Sequence, residues 1–97
     1  MKSEEKEYRI QYKEQFLEDV QAYRRARQKS ILIKINSLIE ELRRHPAIGT
    51  GSPEPLKGDR KGQWSRRIIG KHRLIYEIHE DVITVILISA YGHYGDK

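Results

Sequence analysis

Cysteine is absent from the 97-residue sequence, which excludes a disulfide framework and any thiolate-ligated metal site. Long hydrophobic runs are missing too. None approaches the roughly 18–20 residues that span a bilayer, and Met1-Lys2-Ser3-Glu4-Glu5-Lys6 lacks the apolar centre of a secretion signal. The expected location is therefore the cytoplasm, with no membrane contact. There is no internal repeat, no low-complexity segment and no composition shift that would mark a second domain. Residues 1–97 are expected to form one domain, with loose ends at 1–7 and 95–97. Apolar residues make up only 37% of the chain against 34% charged, so a modest core must sit under a largely charged surface.

Acidic residues are in deficit: 14 Asp and Glu face 19 Lys and Arg, a net charge of +5. A basic excess on so small a surface favours acidic partners, of which nucleic acid is the commonest and an acidic protein the alternative.

The chain then reads in order. Tyr8-Arg9-Ile10-Gln11-Tyr12 alternates like a half-buried strand. Phe16, Leu17, Val20 and Tyr23 recur at helical spacing and predict a helix over roughly 14–26. Ser30 reads as an N-cap before a stronger stripe of Ile31, Ile35, Leu38 and Leu42, widened by Leu32 and Ile39. This second helix should run from Gln28 or Lys29 to Arg44, with Arg43-Arg44 suiting its C-terminus and Pro46 ending it. The following segment, with Gly49, Gly51, Pro53 and Pro55, is too punctuated for regular structure. Strands are expected at Trp64–Ile69, His72–His79 and Val82–Ala90, with turns at Gly70-Lys71 and Glu80-Asp81. The last is nearly continuous apolar and should be the central or most buried strand. The order β-α-α-β-β-β predicts an α+β domain, two helices packed on one face of an antiparallel sheet.

The chemistry-bearing residues gather between Ser52 and Tyr76. Glu54 stands between Pro53 and Pro55, whose rings restrict the loop. Lys57, Arg66, Arg67 and Arg73 follow. One carboxylate held among several cations suits an anionic substrate that must also lose a proton. By alternation His72, Leu74, Tyr76 and Ile78 share one face of their strand and should meet the helices, so Arg73 points to the open face. A two-residue turn at Gly70-Lys71 would place Arg66 beside it. A three-residue turn would instead pair Arg67 with Arg73, and the sequence alone leaves both open.

The run Pro53-Glu54-Pro55-Leu56-Lys57, then Trp64-Ser65-Arg66-Arg67-Ile68, His72-Arg73-Leu74-Ile75-Tyr76 and the near-terminal His93-Tyr94 resembles the YoeB/Txe family of the RelE/ParE toxin–antitoxin superfamily. The resemblance covers about residues 8–94 and rests on the order and spacing of all four motifs. It implies a RelE-like microbial RNase fold and a ribosome-dependent mRNA endonuclease. It also implies a homodimer or toxin–antitoxin hetero-oligomer, neutralised by an acidic YefM-like antitoxin. Carried over by motif, the catalytic set is Glu54, Arg67, Arg73, His93 and Tyr94, with Lys57 and Arg66 on the substrate. The resemblance favours Arg67 over Arg66 for the site, and the wider turn. Two departures stand out. Gly95-Asp96-Lys97 follows the His-Tyr pair that usually closes the chain, and Tyr91-Gly92 replaces a stretch where relatives often carry a basic residue.

The residues suit that chemistry without cofactor or metal. Attack by a 2′-hydroxyl needs a base, for which Glu54 serves. It also needs an acid for the leaving 5′-oxygen, for which His93 serves, since histidine titrates near neutrality. Arginine's planar fork suits the phosphate oxygens, and Tyr94 could stack on a base or donate to phosphate. Two other readings compete: a non-catalytic, ParE-like inhibitor of a protein target, and a general RNA-binding domain. Blander roles suit the remaining candidates. Arg24, Arg25, Arg27, Arg43 and Arg44 read as a solvated face, His45, His72 and His79 as surface or packing residues, and Trp64 as core or interface.

Overall fold

The first helix begins where Lys13, in extended conformation, turns into Glu14. In the computed structural model, which describes residues 7–91, strand β1 (Arg9–Tyr12) leads into α1 (Glu14–Arg25) and α2 (Lys29–Leu42). Strands β2 (Glu54–Pro55), β3 (Gln63–Arg67), β4 (Arg73–His79) and β5 (Thr84–Ser89) follow, with 3₁₀ turns at Gly58–Arg60 and Glu80–Val82. Glu14 in the first turn of α1 and Arg24 and Arg25 in its last complement the helix dipole.

The passage between the helices explains a difference from the sequence reading. Arg27 adopts the left-handed conformation, φ 57°. Its N–H reaches the Arg24 carbonyl at 3.0 Å, and the Gln28 N–H reaches that of Tyr23 at 3.0 Å. This double closure satisfies the exposed carbonyls of α1 and delivers the chain straight into α2. The second helix therefore starts at Lys29, Gln28 takes the cap position, and Ser30 lies inside the first turn rather than capping it. The apolar stripe is as expected: Ile31, Ile35, Leu38, Ile39 and Leu42 are all buried.

The five strands form one sheet in the order β1-β5-β4-β3-β2. The expected all-antiparallel sheet is corrected here. β1 runs parallel to β5, Arg9 opposite Thr84 and Tyr12 opposite Leu87, so the sheet is mixed. The reason lies in the connection: the α1–α2 hairpin crosses the sheet before β2, which leaves β1 free to add along the outer side of β5. The other pairs are antiparallel. β4 rather than β5 occupies the centre, and both are interior strands. The β4–β5 turn is also longer than Glu80-Asp81. A 3₁₀ turn and a left-handed Ile83, φ 47°, delay β5 to Thr84.

Leu74 and Tyr76 of β4 and Val85 and Leu87 of β5 join Phe16, Tyr23, Ile35, Leu38 and Leu42 in one buried cluster. That face of β4 is the one its alternation assigned to the helices. The opposite face carries Arg73, Ile75, Glu77 and His79.

Candidate active site

The segment with three of its residues outside ordinary backbone space is what brings Glu54 to the sheet. Gly49 and Gly51 have φ of 117° and 86°, and Ser52 has 51°. At Gly51 a Cβ would lie 2.7 Å from the Arg67 carbonyl oxygen, and the Gly51 carbonyl accepts the Arg67 N–H at 2.8 Å. Only glycine allows that approach. The chain is thus pinned to the end of β3, and Glu54-Pro55 then pair with Ser65 and Trp64 as a two-residue edge strand. Proline, lacking an N–H, is tolerated in that position because it lies on an edge.

Cross-strand partners share a face, as do residues two apart. Glu54 is opposite Ser65, Ser65 is opposite Ile75, and Arg67 is opposite Arg73. Glu54, Ser65, Arg67, Arg73 and Ile75 therefore occupy one patch on the face away from the buried cluster. Directly opposed residues have Cβ atoms about 5 Å apart and diagonal ones about 7–8 Å. The Glu54 carboxylate and the two guanidinium groups can then close around one phosphodiester. Arg67, Glu54 and Lys57 are exposed and Arg73 is half-buried. Among the described residues none of these four forms an ion pair. The register is that of the wider turn: Ile68 N–H donates to the His72 carbonyl at 2.9 Å, and His72 N–H to that of Ile69 at 3.0 Å.

Arg66 does something different from the expected substrate contact. Opposite Leu74 on the helix-side face, it is fully buried. Its Nε–H donates to the Tyr76 hydroxyl at 3.1 Å. One terminal nitrogen donates to a Glu41 carboxylate oxygen and to the Thr50 carbonyl, the other to the carbonyls of His45 and Ile48. All five donors are occupied. Arg66 is a structural tie holding the segment from His45 to Thr50 onto α2 and β4. Glu41 completes the tie by accepting the Thr50 N–H at 2.8 Å and its hydroxyl at 2.9 Å. Burial pushes the Glu41 carboxyl upward, but the Thr50 and Arg66 hydrogen bonds and the guanidinium charge outweigh it, so its pKa lies below the ordinary value.

A second tie, unforeseen in the sequence, holds the end of β5. Asp19 Oδ2 accepts the Ala90 N–H at 2.9 Å, and the Tyr23 hydroxyl donates to the Ala90 carbonyl at 2.7 Å. Asp19, Tyr23 and Ala90 are all buried. The one available signal was an acid inside an apolar row, since Asp19 falls between Phe16 and Tyr23 and a buried carboxylate demands partners. His93 and Tyr94 lie outside the described residues. The fully buried Ser65 Oγ, in the row between Glu54 and Ile75, has no hydrogen-bond partner among the described residues.

Comparison with known proteins follows from this geometry. A model of the YoeB-like toxin of bacterial type II toxin–antitoxin systems matches residues 12–94. Toxin YoeB of Escherichia coli is 46% identical over 66 residues, 68% of this chain and 76% of that protein. The solved YoeB/ParE toxin from Agrobacterium tumefaciens superposes with a TM-score of 0.82 at 35% identity, covering 89% of this chain and 99% of that one. A YoeB–YefM complex from Staphylococcus aureus contains a chain with a TM-score of 0.76 at 33% identity, covering 90% and 98%. A fold that sets the Glu54 carboxylate beside two opposed arginines on its open face, and these similarities in sequence and structure, lead to one conclusion: the chain belongs to the YoeB-like toxin family of bacterial type II toxin–antitoxin systems.

Proposed function

We propose that this toxin is an endoribonuclease that cuts mRNA on the ribosome, by attack of a 2′-hydroxyl on the adjacent phosphodiester. The observation that carries the reading is the direct opposition of Arg67 and Arg73, neither of which forms an ion pair among the described residues. Like charges facing each other across a strand pair are destabilising, and such a conflict is expected where a ligand resolves it. A phosphate that becomes dianionic in the transition state is the matching guest, stabilised more there than in the ground state. Glu54, diagonal to Arg67, removes the 2′-hydroxyl proton. Lys57 adds charge at the exit of the same edge strand. His93 protonates the leaving 5′-oxygen, and Tyr94 stacks on a base or donates to the phosphate. What supports including them is their closeness in sequence to the clamped Ala90, whose neighbour Ser89 pairs with Ile75, two residues from Arg73 in β4. The products are a 2′,3′-cyclic phosphate and a 5′-hydroxyl. Acting on translating ribosomes, the protein works in the cytoplasm. Its expected inhibitor is an acidic antitoxin, as the Staphylococcus aureus relative's complex with YefM suggests.

Single-turnover cleavage of ribosome-bound mRNA, with product ends identified by mass, tests the scheme. Glu54→Gln, Arg73→Ala and His93→Gln should each slow cleavage by roughly 10²-fold or more. Ribosome binding and circular dichroism should stay close to those of the parent. Products with 5′-phosphate ends, or a Glu54→Gln protein cutting at the parental rate, would overturn it.

A further inference from the structure

At the Arg73 end of β4, on the other face of the sheet, lies a cavity of about 350 Å³ lined by Tyr23, Ala26, Gln28, Ile31, His72 and Tyr91. Three of its walls are aromatic or heteroaromatic rings. The Tyr91 ring stands 5.6 Å from that of His72 and 6.1 Å from that of Tyr23, centroid to centroid. Tyr91 is 64% exposed, unusual for a tyrosine that only fills space.

The polar character of the cavity follows from proton accounting. Burial, with the nearby Asp19 charge and then Tyr91, pushes the Tyr23 hydroxyl up to about 12, so it keeps its proton. That proton goes to the Ala90 carbonyl. The 3.1 Å contact between the Tyr23 oxygen and His72 Nδ1 must then be a hydrogen bond donated by His72. In the tautomer that carries its hydrogen on Nδ1, Nε2 is an acceptor, and no described residue uses it. The sequence neighbours of two lining residues include cations: Arg27 and Lys29 flank Gln28, and Lys71 precedes His72. Arg27, Lys29 and Lys71 are exposed.

Stacking rings, one ring-nitrogen acceptor and exposed cations next in sequence to two lining residues match a nucleobase carried on a phosphate backbone. We infer that this cavity is a base-binding subsite for the substrate RNA. A base next to the scissile phosphate turns over the end of the sheet, stacks on Tyr91, and donates an N–H to His72 Nε2. The inference rests on the endoribonuclease reading and extends it to a face of the sheet with no part in the chemistry.

The test is binding rather than cleavage, so its failure leaves the catalytic scheme standing. A short RNA with 2′-O-methyl groups, which cannot be cut, is titrated against the full chain at constant salt, and anisotropy is read. Uracil at the position beside the central phosphate should give roughly tenfold tighter binding than an abasic residue there. Tyr91→Ala should abolish that advantage and leave abasic affinity unchanged, whereas Tyr91→Phe should retain it. Replacing uracil by 3-methyluracil, which keeps the stack and loses the N–H, should weaken binding severalfold in the parent. Equal affinity for uracil and abasic RNA would overturn the subsite. So would Tyr91→Ala weakening only the binding of an acidic peptide bearing an aromatic residue, because the cavity would then be a protein-docking site. Equal affinity for uracil and 3-methyluracil would overturn the role of His72.

Discussion

Arg66 keeps a full charge inside the protein because five acceptors surround it, three of them backbone carbonyls of the segment between α2 and β2. Removing one partner of a buried ionic tie strands the rest, at a cost of about 3–5 kcal/mol. Arg66→Ala should lower the urea midpoint accordingly with the slope unchanged. Arg66→Lys should rescue little, since an ammonium cannot reproduce the planar fork. Glu41 adds a pH signature. Its folded-state pKa lies below the usual 4.5. Its contribution is thus present above 4.5 and is lost as pH falls through the depressed value. Urea midpoints should drop as acid is added below about pH 4.5, and Glu41→Gln should flatten that drop while lowering the midpoint at neutral pH. Neither role was legible from sequence. Arg66 and Arg67 are adjacent, identical residues, and only the register of the β3–β4 turn sends one inward and the other out. Arg73 was legible, because the apolar alternation of Leu74, Tyr76 and Ile78 determines its face whichever turn forms.

The helices and the three longer strands could be read from periodicity, because each buries a regular face. The two-residue β2 could not. Its two side chains are exposed, so no apolar pattern announces it, and it exists through the approach of Gly51 to Arg67. β1 was recognisable as a strand, but alternation carries no information about its partner or direction. Across elements, the most consequential contact is the grip of α1 on the end of β5. Asp19→Ala leaves the Ala90 N–H buried without an acceptor, which costs about 1–3 kcal/mol. Hydrogen exchange should show the effect concentrated at Ser89 and Ala90. Cleavage should fall more than stability does if Ala90, three residues before His93, must be held for the proposed acid to act. Asp19→Asn, which keeps an acceptor oxygen, should recover most of both.

Seen whole, the molecule carries a charge of +5 and shows two arginines on its open face that form no ion pair among the described residues. An acidic antitoxin should therefore associate fast and with strong dependence on ionic strength. Stopped-flow mixing with the acidic partner across a salt series should show the association rate falling as salt rises, with a smaller effect on dissociation. Reversing Arg67 and Arg73 to glutamate together should reduce both the rate and its salt dependence, and a salt-independent rate would contradict the idea. The ties that complete the sheet also span nearly the whole chain: Tyr8 donates to Glu80 at 2.6 Å across 72 positions, and Asp19 reaches Ala90 across 71. Such non-local pairings form late. During synthesis β1 leaves the exit tunnel long before β5 exists, so the sheet cannot close and Arg73 has no finished neighbourhood. The parallel edge can therefore close only after β5 has been made, so the last strand of the chain completes a sheet that the first one began.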